Sequence, residues 1–479
     1  MSEFLFTRKR DGTYQLDSYE GSSAVLAIPS EHEGHPVTSI ADNAFSWSYQ
    51  ITKAIIPDTV TQIGEAAFSW CESLVEVVIP DSVKVIGEWA FIGCLAMRSI
   101  QLPNGLKKIN YCTFQSCSSL TEVNIPDTVR SIGPEAFSEC RNLKTIHLSN
   151  TLTSIGENAF SACESLTTVN LPDSLTDLGN NVFSGCVSLS TFTVSDSHPV
   201  FRNENGILIN RKEKKLLFYP FEMKGKTVII PEGTEIIAEE AFSCRNIPEE
   251  VILPETIKVI EPKAFYSCRG LKRINLPDSI IRIESSAFHS CSALQGISLP
   301  KDLSIIDYSV FYACSSLESV VLPEALRIIA PCAFSGCSSV NEVLFPEGLI
   351  EIGDSAFEGC RSLETVILPE TLELLGAHAF GSCVMLDSVQ VNKGLKVIPS
   401  QAFARCDNLN QVTLPEGVEE IRNEAFDRCE NLLTLQLPAS IFMIDPTAFV
   451  NCRHLMLFVY PDSYAMNYAK DVGILYSEL

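Results

Sequence analysis

The sequence has no HExxH, GxSxG, GxGxxG or P-loop stretch. The zinc-protease, serine-hydrolase, dinucleotide and nucleotide-phosphate chemistries built on those spacings therefore lack their residues. No CxxC pair occurs among the eighteen cysteines, which removes the paired ligands of a structural zinc site. No apolar run approaches the length of a membrane-spanning helix. The start, MSEFLFTRKRDGTYQ, puts charges where a signal peptide needs an apolar core, and the end carries no lipid-anchor signal. Basic residues are also scarce: 35 Lys and Arg face 59 Asp and Glu, for a net charge of −24. Such a chain is poorly suited to hold nucleic acid by its phosphates. Together these absences predict a non-enzymatic protein with no cofactor and no metal, not inserted in a membrane. The expected location is the cytoplasm, with a surface or extracellular place reached by a non-classical route as the alternative.

What fills the chain is one stretch of sequence, repeated. A Phe, usually preceded by Ala, falls at Phe45, Phe68, Phe91, Phe114, Phe137, Phe160 and Phe183. It resumes at Phe242 and continues in the same steps of 23 residues to Phe449. Seventeen copies at one period specify a solenoid, in which each coil buries its apolar side against its neighbours. A hydrophobic content of 46% excludes disorder.

The copy LTEVNIPDTVRSIGPEAFSEC, Leu120 to Cys140, shows how each position works. Leu120, Val123 and Ile125 have the spacing of a leucine-rich repeat. Asn124 points outward between two inward residues, the period of a half-buried strand. Pro126 ends that strand, Asp127 forms a turn, and Val129 and Ile132 face inward again. Pro134, Pro262, Pro331 and Pro446 stand three residues before the Phe in four copies. Proline suits the first position of a helix, which predicts a short helical or 3₁₀ segment carrying Ala136 and Phe137. The position after the inward Ile is Gly64, Gly133 or Gly353 in some copies but Glu261, Arg422 or Pro399 in others. Proline fixes φ near −65°, so glycine there serves close packing or capping, not a positive φ.

The predicted architecture is an α/β solenoid, a right-handed curved rod of leucine-rich-repeat type. A parallel β-sheet lines its inner face and short helical or 3₁₀ turns line the other. Residues 1–38 are expected to form an N-terminal β cap, with strands at Phe4–Phe6 and Tyr14–Leu16 around an Asp11-Gly12 turn and a further strand from Ala24 to Ile28. Residues 39–194 are seven repeats. Residues 195–227 form an irregular coil, in which Gly206–Asn210 and Lys215–Tyr219 predict a hairpin projecting from the solenoid edge. Residues 228–452 are ten further repeats. Residues 453–479 are a C-terminal cap, a strand and then a helix that starts near Ser463 and is stopped by Gly473.

The repeat SxTxVxxPDSVxxIGxxAFxxCxxL resembles the BspA-like family of leucine-rich repeat proteins. The similarity extends to GHPVTSIADNAF (Gly34 to Phe45), NGILINRKEKKLLFYP (Asn205 to Pro220) and PDSYAMNYAKDVGILY (Pro461 to Tyr476). The resemblance implies the solenoid fold. It also implies a role like that of relatives which are surface or secreted adhesion proteins of anaerobic bacteria and parasitic protists, binding host matrix proteins and other cells. The chain is expected to depart from those relatives in lacking an export signal.

Several ladders of equivalent residues are candidates for function. Cys71, Cys94, Cys117, Cys140, Cys163 and Cys186, then Cys268 through Cys452, stand three residues after the Phe. Their parallel Cβ vectors disfavour disulfides between coils about 4.8 Å apart, so they read as small buried hydrophobes, and free thiols fit a reducing compartment. An acidic ladder follows the Pro, including Asp58, Asp81, Asp127, Asp278, Glu347 and Glu416. A single row of carboxylates does not converge on calcium, so turn chemistry accounts for it. His32 and His35 flank Glu33-Gly34 and read as a surface loop. Binding is expected at the outward strand positions, most of which are polar. Val321, Leu344 and Ile367 are apolar on three successive coils and form a candidate contact patch for a protein partner; β propensity on a flat sheet is the competing explanation. The second candidate is the basic hairpin tip, Arg211, Lys212, Lys214 and Lys215, where lysines that protect a strand edge are the alternative. The leading expectation is thus a monomeric protein-interaction scaffold. A surface adhesin and a self-assembling structural element are the alternatives.

Overall fold

The computed structural model describes residues 3–221, 225–244 and 249–479. They fall into two compact units, residues 1–223 and 224–479. Each unit is a β-solenoid whose coils stack in register through parallel strands.

In the first unit the period-two stretch forms the expected ladder, with strands such as Glu122–Asn124 and Thr145–His147. Val123 lies opposite Ile146 and Asn124 opposite His147, so every inward residue meets its own kind one coil away. The inward pair Val129 and Ile132 does not lead into a helix. Its second member belongs to a second parallel ladder, which runs through Lys108–Ile109, Ser131–Ile132, Ser154–Ile155 and Asp177–Leu178. Most coils therefore supply two short strands where one was expected.

Among the described residues the helical segments predicted around the Phe are not present; these residues form consecutive turns. Glu135 and Glu139, two residues before and after Phe137, have φ of 53° and 60°, and the same two positions are left-handed in coil after coil. A right-handed helix cannot contain them. Pro134 is the second residue of a turn closed by the Ala136 N–H on the Gly133 carbonyl, with left-handed Glu135 third. That is a type II turn, which welcomes proline as readily as a helix start does. The alternate N–H groups are freed to point along the solenoid. Those of Glu135, Phe137 and Glu139 donate to Glu157, Ala159 and Ser161 of the next coil at 2.9, 2.8 and 2.7 Å. A third ladder of backbone bonds thus replaces the helix.

Behind these turns the phenylalanines stack. From Phe45 to Phe183 successive ring centroids are 4.8–5.9 Å apart and within 20° of parallel. From Phe242 to Phe449 the spacing is 4.7–5.8 Å. Each buried ring contributes roughly 1.5–3 kcal/mol. The glycine after the inward Ile has the packing role expected of it: a Cβ on Gly87 would lie 2.5 Å from the Glu65 nitrogen of the preceding coil.

The irregular coil differs from expectation in one respect. Ile207–Asn210 and Lys215–Phe218 do pair antiparallel, joined on the other side by Phe201–Glu204. The hairpin does not project, however. Ile207, Leu208, Ile209, Leu216, Phe218 and Tyr219 are buried, and the Phe218 ring meets Phe192 edge-on at 5.4 Å. Apolar side chains on both faces of Ile207–Asn210 make burial the lower-energy place for it. His198 pins the coil: Nδ1 accepts from the Val200 and Phe201 N–H groups and Nε2 meets the Pro172 carbonyl at 3.0 Å.

At the start of the first unit Phe4–Arg8 pairs antiparallel with Tyr14–Tyr19, which runs parallel to His35–Ile40. The rings of Phe4, Phe6 and Tyr19 pack against the core. The second unit finishes with strand Met456–Val459, helix Tyr464–Val472 and strand Leu475–Glu478, the strands parallel. Ser463 caps the helix by accepting from the Met466 N–H, and left-handed Gly473 ends it, as the sequence predicts.

Candidate binding surfaces

Val321, Leu344 and Ile367 stand where the period-two reading puts them. They are 61, 74 and 61% exposed, while their neighbours Val320, Val343 and Val366 are buried. The coil in the middle is irregular. Strand pairing there lapses to a single bridge between Ser319 and Glu342. In this coil Phe345 stands before Pro346 where most copies have Leu or Ile, and its larger ring turns edge-on to Phe357 and Phe380 at 5.5 and 6.3 Å. The apolar triplet therefore spans one of the places where the ladder is interrupted. At the equivalent strand positions Asn124 and His147 in the first unit, and Gln390 and Thr413 in the second, are exposed and polar.

The basic tip is partly engaged. Arg211 donates from a guanidinium nitrogen to the Asp196 carbonyl at 3.2 Å, and the Asn210 side chain accepts from the N–H groups of Lys212 and Glu213. Lys214 adopts φ of 53°, and Lys215 is half-buried in its strand.

The ladders with a structural reading acquire partners. Each buried Cys thiol donates to the carbonyl of the Phe one coil before, as Cys140 does to Phe114 at 3.2 Å. The thiol is thus a weak donor for a buried carbonyl as well as a space-filler. Burial pushes the Cys117 and Cys360 thiols up to about 12. In the acidic ladder Asp81 accepts from the Asn104 N–H at 2.8 Å and Asp278 from the Lys301 N–H at 3.1 Å. These bonds hold both carboxyls below their usual range. His32 stacks on Phe6 at 4.2 Å, and Glu33 accepts from the Tyr14 hydroxyl at 2.5 Å.

Three surfaces escaped the sequence reading. In the second unit the residues one or two places before the inward Ile or Leu of the second ladder include exposed Ile281, Ile305, Leu374 and Phe442, and Ile281 and Ile305 line a depression of about 380 Å³. In the first unit the same positions hold exposed Lys84, Lys107, Lys108 and Arg130. On its turn face Trp47 and Trp70 stack at 5.4 Å, 10° from parallel. These residues stand out in the sequence only when equivalent positions of successive copies are set side by side.

Parallel ladders with a repeating Leu-x-x-Leu-x-Leu core define a leucine-rich-repeat solenoid. A model of the BspA type leucine rich repeat region matches residues 38–148, 107–205, 215–341 and 327–456, and the chain belongs to that family. Among solved structures it is similar to a leucine-rich repeat protein from Bacteroides ovatus, at 29% identity and a TM-score of 0.55, over 81% of this chain and 93% of that one. It is also similar to a leucine rich cell surface protein from Faecalibacterium prausnitzii, at 27% identity and 0.51, over 86% and 93%. A leucine-rich repeat protein from Eubacterium ventriosum, at 20% identity and 0.50 over 79% and 92%, shares the fold. No curated protein matches the sequence. Among the described residues no helix is long and apolar enough to cross a membrane.

Proposed function

We propose that this protein is a non-enzymatic, monomeric scaffold that binds a protein partner through Val321, Leu344 and Ile367, with the Arg211–Lys215 tip adding specificity. The observation that carries the reading is the exposure of three contiguous apolar side chains on a ladder whose other members are mostly polar. Exposed apolar patches of this kind mark contact sites. Cross-linking in the native cell, followed by mass spectrometry, tests it. A V321S/L344S/I367S variant that melts like the wild type should lose a partner cross-linked to this patch. Retention of every cross-link by the triple variant refutes the reading, and L344S alone serves if the triple variant does not fold.

A second reading, a surface adhesin, is favoured by likeness to the F. prausnitzii protein, which is described as a cell surface protein. Protease shaving of intact cells separates the two. Release of peptides from this chain supports the adhesin, and protection supports an intracellular scaffold.

A further inference from the structure

All three tryptophans of the chain lie on the turn face of its first three coils, at Trp47, Trp70 and Trp89. Trp47 and Trp70 each stand two residues after a ladder Phe, in the left-handed position, with φ of 62° and 56°. Their N–H groups donate to the next coil at 2.8 and 2.6 Å, so the rigid backbone ladder sets both indoles. Trp70 lies in turn over Gly93, where a Cβ would come within 2.4 Å of its ring; glycine there leaves room for the indole. Trp47 has one face on Trp70 and remains 54% exposed, with Tyr49, itself 50% exposed, set edge-on at 6.2 Å. A large aromatic surface is held open at the end of a stack.

The charge around it is of one sign. Residues 42–50, 65–73 and 88–96, which make the turn face of these coils, contain Asp42, Glu65, Glu72 and Glu88 and no Lys or Arg. Glu72 occupies, one coil on, the position of Tyr49. An indole face carries negative quadrupole potential and attracts a cation, Arg above all, and the carboxylates reinforce it. Trp and Tyr are also the residues that dominate binding energy where proteins meet. We infer that Trp47, Trp70 and Tyr49 form a docking platform for an arginine-rich segment of a partner protein. The site is in the first unit and stands independently of the apolar triplet in the second.

The test is calorimetric titration of the full chain with a hexa-arginine amide, in parallel with Trp fluorescence. Saturable binding with a change in Trp emission is expected. W47S, which leaves the net charge untouched, should weaken binding about fivefold, the loss of one exposed cation–π contact and its packing. W47F should keep most of the affinity, which separates loss of the ring from loss of the fold. Equal affinity in W47S would show that the peptide is held elsewhere by the general negative charge and would overturn the assignment. So would a neutral hexasaccharide that shifts Trp emission where the peptide does not, since that makes the platform a glycan site.

Discussion

Replacing Ser382 by glycine should stabilise this protein, although glycine in the predicted helix would do the reverse. Ser382 has φ of 59° and stands two residues after Phe380, where Gly359 and Gly336 stand in the two preceding coils at 72° and 74°. Its N–H donates to the Ala404 carbonyl at 2.7 Å, so the conformation is held by the ladder and cannot relax. A left-handed backbone costs an L residue about 1–2 kcal/mol. Glycine removes that cost and gives back about 0.5–1 kcal/mol through its greater freedom in the unfolded chain. The net expectation is a gain of about 0.5–1 kcal/mol for Ser382→Gly, as the difference of those two quantities. In a helix the same change would cost roughly 0.5 kcal/mol. Scanning calorimetry should show a rise of about 1–2 °C. Ser382→Val, β-branched in a left-handed position, should move the transition the other way. A lowered melting temperature for Ser382→Gly would refute the turn reading of the Phe segment.

Phe137→Ala should cost about 3–5 kcal/mol in chemical unfolding, because it empties a fully buried site between Phe114 and Phe160 that neighbouring coils cannot close. A thiol reagent near neutral pH should modify Cys244 readily and the fully buried ladder cysteines, such as Cys117 and Cys360, only on unfolding, when all eighteen react; Cys244 is exposed, whereas Cys117 and Cys360 are buried with raised thiol pKa values. The carboxyls of Asp81 and Asp278 are lowered in the fold, by the Asn104 and Lys301 N–H bonds first. They stabilise it above the ordinary carboxylate range, and that contribution is lost as pH falls through their lowered values. Melting temperature should therefore drop on acidification below about pH 4, and D81N/D278N should flatten that drop.

Much of this fold is legible in one copy of the repeat. The alternation around Asn124, the stop at Pro126 and the inward Ile132 carry one reading each, because strand period and proline chemistry are local. The Phe segment does not. Pro134 is compatible with the start of a helix and with the second position of a type II turn, and no local signal separates them. The choice is made by Phe137 and Glu139 donating to the next coil, a bond that exists only once coils are stacked. The hairpin at residues 207–218 is similar: its strands and its charged turn are plain, but Ile207, Ile209 and Leu216 needed the neighbouring core around Phe192 before its burial could be known.

The candidate surfaces divide in the same way. Exposure of Val321, Leu344 and Ile367 follows from counting by twos along a strand. The edge-on Phe345 ring and the Trp47–Trp70 stack do not, since both depend on how a ring meets the coil beside it. The period, the strands around Asn124 and its equivalents, and the Phe and Cys ladders were thus determined by the sequence alone, because each rests on contacts between like residues one period apart; the terminal helix was determined by its own caps, Ser463 and Gly473. The second sheet, the turns in place of helices and the aromatic platform were decided by tertiary structure. They rest on backbone groups and ring faces finding partners across coils, where no spacing within a single copy records the outcome.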